Sequence, residues 1–191
     1  MADTTSVPGL AEAERLYGRP VERSYELGAC GDLERFWQMW SHRQGEVVLV
    51  LQRPDGRILL QSKAFYPAGT FRLPSGSIQA GEPLLEAVQR ELREETGLTG
   101  RVLRFLGILH YHFTRCAQEQ ERASYVFLLS IGPEPVRPED ESEQITLARE
   151  VRPEELHAIA QSLEHMGGEW AVWGRFRALA HEFVASVMRD G

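Results

Sequence analysis

Between Gly76 and Leu98 the chain reads GSIQAGEPLLEAVQRELREETGL, which sets Glu82, Arg90, Glu91, Glu94 and Glu95 at fixed offsets. The spacing predicts a helix over residues 83–96, and on it Glu91, Glu94 and Glu95 stand at i, i+3 and i+4 on one face. Like charges so close weaken a helix, and an ordinary solvated face interleaves basic partners among its acids. A divalent cation removes the conflict. Oxygen-only donors suit hard ions, and magnesium in particular is held by a few carboxylates together with substrate phosphates. The chemistry indicated is that of a phosphate ester or phosphoanhydride. For Glu86, one helical turn before Arg90, a surface ion pair is the expected role.

The segment resembles the Nudix hydrolase signature, G-x5-E-x7-R-E-U-x-E-E-x-G-U with U aliphatic. It matches at every specified position: Gly76, Glu82, Arg90, Glu91, Leu92, Glu94, Glu95, Gly97 and Leu98. The resemblance implies metal-dependent hydrolysis of a diphosphate linkage in a nucleotide, or in a nucleoside diphosphate joined to another moiety. Mg2+ is the implied cofactor, with Mn2+ as the alternative. Glu91, Glu94 and Glu95 are implied as metal ligands, with Glu91 also the general base. Arg90 and Glu82 are implied as positioning groups, since a bidentate guanidinium fixes the direction of a carboxylate.

The residue before the signature glycine is usually glycine in this family and is here Ser75. Its backbone carbonyl is expected to reach the metal, and a side chain there is restricted wherever φ is positive. A late-loop glutamate often joins the site, and Glu139, Glu141 and Glu143 all fall in the corresponding region. The sequence does not choose among them. The alternative function is a nucleotide-binding regulator on the same fold, with little or no hydrolysis. Such proteins generally carry damaged catalytic glutamates, and none is damaged here.

These residues need a scaffold. EVVLVLQ at 46–52 and ILLQSKA at 58–64 read as strands joined by the turn RPDGR. FYPAGTFRLPSGS is broken by Pro and Gly, so it reads as loop with a short strand near Thr70 to Leu73. Pro83 suits the first turn of the signature helix and Gly97 its carboxyl-terminal cap, with Leu85, Val88 and Leu92 as the buried face. Strand formers dominate 101–113 and 122–131, and Ile145 to Leu147 reads as one more short strand. Residues 153–166 and 169–189 are helical by period. The first nine residues read as a frayed terminus, followed by helical patterns at 10–17 and 32–43, the second carrying Leu33, Phe36, Trp37 and Trp40. The expected fold class is α/β, an α/β/α sandwich with a mixed sheet plus extra helices at both ends. The expected layout is a partly helical extension at 1–44, the catalytic domain at 45–165, and a carboxyl-terminal amphipathic helix at 166–191.

With 191 residues and a formal net charge of -7, the chain suits one globular core and disfavours a broad grip on nucleic acid. No segment reads as a membrane span or a secretion signal, so a cytoplasmic enzyme is expected. Cys30 and Cys116 read as reduced thiols. The implied partner is a small nucleotide or nucleotide-linked diphosphate, with a homodimer through the terminal helices as one reading. Substrate specificity lies outside the signature. Phe71, Arg72 and Tyr111 are candidates for binding it, with Tyr66 and Phe113 as further stacking rings and Arg115 as a further phosphate holder. The variants Glu94→Gln and Glu95→Gln are expected to lose turnover and keep the fold, on the view that these side chains need not be buried. His110 and His112 share one strand face and are weighed as pocket-lining groups.

Overall fold

The computed structural model describes residues 7–28, 45–115 and 118–189. The expected helix at 32–43, Cys30, Cys116 and the side chain of Arg115 lie outside the described residues. In chain order the elements are α1 (Leu10–Tyr17), β1 (Val21–Gly28), β2 (Glu46–Gln52), β3 (Ile58–Lys63), β4 (Ser75–Ser77), α2 (Leu84–Thr96), β5 (Gly100–Arg115), β6 (Gln118–Ile131), β7 (Ile145–Val151), α3 (Leu156–Glu164) and α4 (Ala171–Arg189). The strands make one seven-stranded mixed sheet in the order β1-β5-β6-β2-β3-β7, with β4 pairing β2. The β1–β5 and β2–β6 pairs are parallel.

Strand β2 lies inside this sheet and is buried on both faces, which explains its unbroken apolar run. Alternate side chains serve two cores. Val47, Leu49 and Leu51 pack with Leu84, Ala87, Val88 and Leu92 of α2. Val48 and Val50 pack with Phe176, Phe183 and Val184 of α4. The result is the expected α/β/α sandwich, with helices at both ends of the chain. Helix α4 lies on its own sheet through Phe176, Phe183 and Val184, while Trp173 forms a smaller cluster with Leu163 of α3.

Several expectations are corrected. On α2 the buried apolar face is Leu84, Ala87, Val88 and Leu92, and Leu85 is only partly buried. Strand β7 runs to Val151, well past Leu147, along the whole of β3. The expected strand at Thr70 to Leu73 reduces to a single bridge between Gln61 and Arg72. Residues 7–9 are not frayed: Val7 is buried, and the carbonyl of Pro8 accepts a hydrogen bond from the Leu84 amide at 2.8 Å, satisfying a free donor at the start of α2. Strand β1 was not expected at all. Its side chains VERSYELG are mostly exposed, so no apolar alternation announces it. Among the described residues no helix is long and apolar enough to cross a membrane.

Candidate active site

Strand β4 is three residues long, and its alternation presents neighbouring residues to opposite helices. Gly76 stands opposite Val47 and Ser75 opposite Val48, so Gly76 faces α2 and Ser75 faces α4. A Cβ on Gly76 would lie 1.8 Å from the Glu91 carboxylate. Only glycine leaves room for that side chain. Ser75 is extended within the strand. Among the described non-glycine residues only Gln144 has a positive φ, so the serine takes the place of the usual glycine without backbone strain.

Arg90 gathers the acids on the near side of α2. Its Nε and Nη2 donate to the two oxygens of Glu82 at 2.7 and 2.9 Å. Nη1 donates to Glu91 Oε1 and to Glu94 Oε2, each at 2.7 Å, and Nη2 also reaches the Ser77 carbonyl at 2.8 Å. This guanidinium holds Glu82 below the usual carboxylate range. Glu91 is only 4% exposed. Burial pushes its pKa up to about 7 against the pull of Arg90, and Glu95 and Glu94 add to the rise. Glu86 is exposed, and among the described residues no ion pair joins it to Arg90, which is committed elsewhere.

Glu95 occupies a different setting. It is 0% exposed, so the expectation that this side chain need not be buried is corrected. Lys63 Nζ lies 3.2 Å from its Oε1 and Arg72 Nη2 lies 3.8 Å away. Burial outweighs both cations and raises its pKa. Neither carboxylate oxygen has a well-aligned hydrogen-bond donor among the described residues, and the Lys63 ammonium and the Gln61 amide are the groups beside it. Lys63 also pairs with Glu143.

The loop carrying Glu143 docks on the end of α2. The amides of Arg137, Glu139 and Asp140 donate to the carbonyls of Thr96 and Glu94, closing groups the helix leaves unpaired. Gly97, at φ 66°, caps α2, and a Cβ there would lie 2.0 Å from the Arg137 carbonyl. Of the late-loop candidates, Glu143 is the one brought to Lys63, whereas Glu139 and Glu141 are exposed.

Arg72 is buried, donating to Tyr66 Oη at 2.7 Å, to the Leu73 carbonyl at 2.7 Å and to Ser75 Oγ at 2.9 Å. Tyr111 is buried edge-on against Phe176, with ring centres 4.7 Å apart. Phe113 is buried beside it, and Tyr66 packs with Trp170 and Trp173. Phe71 is half-buried with the Arg149 guanidinium 5.9 Å over its ring. His110 and His112 do not meet the signature acids; they pair with Glu22 and Glu26 of β1 at 3.3 and 3.0 Å.

Sequence reasoning passed over Lys63, Glu46, Arg177, Gln61 and His181. Lys63 carried a signal, being the chain's single lysine, and Glu46 is a lone charge opening an apolar run. Nothing local marks Arg177 or His181.

The donor set suits a hard cation: oxygen atoms only, one carboxylate fully buried with no well-aligned hydrogen-bond donor among the described residues, and a glycine gap that admits another. Among the described residues no group of three acids, histidines or cysteines is gathered closely enough to hold a metal ion as they stand. Arg90 takes Oε1 of Glu91 and Oε2 of Glu94, which leaves the other oxygen of each acid for a cation.

The family model of the NUDIX domain matches residues 42–170. An ADP-ribose pyrophosphatase of Methanocaldococcus jannaschii is 37% identical over 78 residues, 40% of this chain and 45% of that protein. An NAD-capped RNA hydrolase NudC of Mycobacterium tuberculosis is 38% identical over 69 residues, 36% of this chain and 22% of that one. The matches thus span less than half the length of these relatives. Among solved structures, a NUDIX hydrolase from Nitrosomonas europaea superposes with a TM-score of 0.51 at 21% identity, covering 74% of this chain and 88% of that chain, which is a likeness of fold.

Proposed function

The chain belongs to the Nudix family, and on that footing we propose that it is a metal-dependent pyrophosphohydrolase. It cleaves a diphosphate linkage in a nucleotide, or in a nucleoside diphosphate joined to another moiety. The observation that carries the reading is the glycine gap that admits Glu91 beside the fully buried carboxylate of Glu95. Glu91, Glu94 and Glu95, with the Ser75 carbonyl, are the groups that would hold Mg2+, with Mn2+ as the alternative. When bound, the cation supplies charge neutralisation for the diphosphate and acidifies the attacking water.

The chain's own residues do the rest. Glu91 is the group assigned to accept the proton of the attacking water, and burial lifts it to about 7 in the metal-free chain. Arg90 and Glu82 hold Glu91 and Glu94 in direction. Lys63 and Arg72 neutralise Glu95, and the reading assigns the late-loop role to Glu143, whose carboxylate meets Lys63 beside it. Phe71, with Arg149 over its ring, is the assigned stacking surface for the substrate, and Arg72 and Tyr111 support that region from the buried side. The net charge of -7 favours a small substrate over a long RNA. A cytoplasmic setting, checked by fractionation, and a homodimer, checked by light scattering, accompany the reading.

The test is product release from dNTPs, ADP-ribose, NAD, dinucleoside polyphosphates and nucleotide sugars with Mg2+ or Mn2+, beside Glu94→Gln. Metal-dependent turnover that the variant loses supports the hydrolase. Ligand binding without turnover of any compound overturns it in favour of the regulator.

A further inference from the structure

Helix α4 reaches the candidate site from the far side of the sheet. Arg177 Nη1 donates to both oxygens of Glu46, at 2.8 and 2.9 Å, and to Ser75 Oγ at 3.1 Å. Ser124 Oγ donates to Glu46 Oε1 at 2.8 Å, and Ser75 Oγ lies 3.4 Å from Glu46 Oε2. Arg72 adds a second guanidinium on the Ser75 hydroxyl. One turn further along α4, buried His181 accepts the Leu73 amide on Nε2 at 3.0 Å and donates from Nδ1 to the Arg177 carbonyl at 2.7 Å. Both ring nitrogens are thereby assigned, and the neutral tautomer is the one that fits.

Three residues of the strap from Leu73 to Ser75 are thus tied down. Leu73 is held by His181, the Pro74 carbonyl accepts the Leu49 amide at 2.9 Å, and the Ser75 hydroxyl is held by Arg72 and Arg177. The next residue is Gly76, whose lack of a side chain admits Glu91. The serine standing where the family usually has glycine therefore has a use: its hydroxyl fastens the strap to α4.

We propose that Ser75, Arg177, Glu46 and His181 form a latch through which the carboxyl-terminal helix positions the Ser75 carbonyl and the Gly76–Glu91 contact, so that cation affinity depends on α4. The inference rests on the cation-site reading above. These are positioning residues. Their effect appears in cation binding and in the metal concentration needed for activation.

The experiment titrates Mn2+ into metal-free protein, following the free-ion paramagnetic resonance signal, for wild type, Glu94→Gln, Ser75→Ala and the double variant Glu46→Gln/Arg177→Met. The double variant removes both charges together, because removing one strands the other in a buried place. The expected result is Mn2+ affinity lower by about 10- to 100-fold in the folded double variant, the range for groups that orient ligands, and a smaller loss in the same direction in Ser75→Ala. Affinity within about two-fold of wild type in the folded double variant overturns the latch. If the double variant does not fold, Ser75→Ala decides by the same criterion. Equal Mn2+ binding by wild type and Glu94→Gln overturns the cation site itself and the latch with it, which separates the two failures.

Discussion

Two guanidinium networks flank β4, and they differ in reach. The Arg90 network joins Glu82, Glu91, Glu94 and the Ser77 carbonyl, all within one loop and the helix that follows. The Arg177 network joins Glu46, Ser75 and Ser124 across the sheet, with Arg177 and Glu46 131 positions apart in the chain. In the first, helical spacing sets Glu94 one turn from Arg90, and the loop just before α2 supplies Glu82 and the Ser77 carbonyl. The second exists only when β2, β4, β6 and α4 are all in place. The first holds the signature acids and the second holds the backbone beside them.

The largest effect that separates the two is expected from Glu95→Gln. Turnover should fall on the order of 100- to 1,000-fold, as for loss of a group that stabilises transition-state charge. The fold should survive, although not for the reason of exposure. Glutamine keeps the shape, and both buried cations retain partners, Lys63 in Glu143 and Arg72 in Tyr66, the Leu73 carbonyl and Ser75. A thermal midpoint well below wild type in metal-free protein would contradict this account.

Arg90→Lys comes next. A lysine cannot span Glu82, Glu91 and Glu94 together, so kcat/KM should drop by about 10- to 100-fold. Unchanged kinetics would show that the near network positions nothing.

On the far network the prediction concerns pH. Burial holds the His181 pKa down to about 4, against the Arg177 carbonyl, which raises it. A depressed folded-state pKa contributes stability that is present above the unfolded value of about 6.5 and lost as pH falls towards about 4. Glu91, raised, acts in the opposite sense over part of this range, so the wild-type profile is a sum. Comparison with His181→Gln isolates the histidine: between pH 7 and 5, wild type should lose roughly 2 kcal/mol more than the variant in urea unfolding. Parallel profiles would remove His181 from the account.

The smallest effect is expected at Glu86, which joins neither network. Glu86→Ala should stay within about 0.5 kcal/mol of wild type in stability and leave turnover unchanged. A marked kinetic defect would mean that the exposed face of α2 meets substrate.

Much of the near site was legible because its determinants are local. Pattern and capping placed α2, and the resemblance assigned Glu82, Arg90, Glu91, Glu94 and Glu95. Helical spacing alone suggested three acids converging on one cation. It did not show that Arg90 takes up two of them while Glu95 turns inward to Lys63. Strand β1 escaped notice because an exposed strand paired in parallel with β5 needs no apolar code. Arg72 and Tyr111, candidates for holding substrate, are both buried, Arg72 with Ser75 of β4 and Tyr111 against Phe176 of α4.

By itself the sequence determined the signature helix, its caps, the two-sided strand β2 and the oxygen-only chemistry of the near acids, because each depends on periods of a few residues. The tertiary structure alone decided which counter-charge each acid receives, that the single lysine meets Glu95, and that Ser75 is bound to α4. Those outcomes depend on sheet order and strand register. A one-residue shift in β4 would exchange the faces of Ser75 and Gly76, and no local pattern encodes that choice.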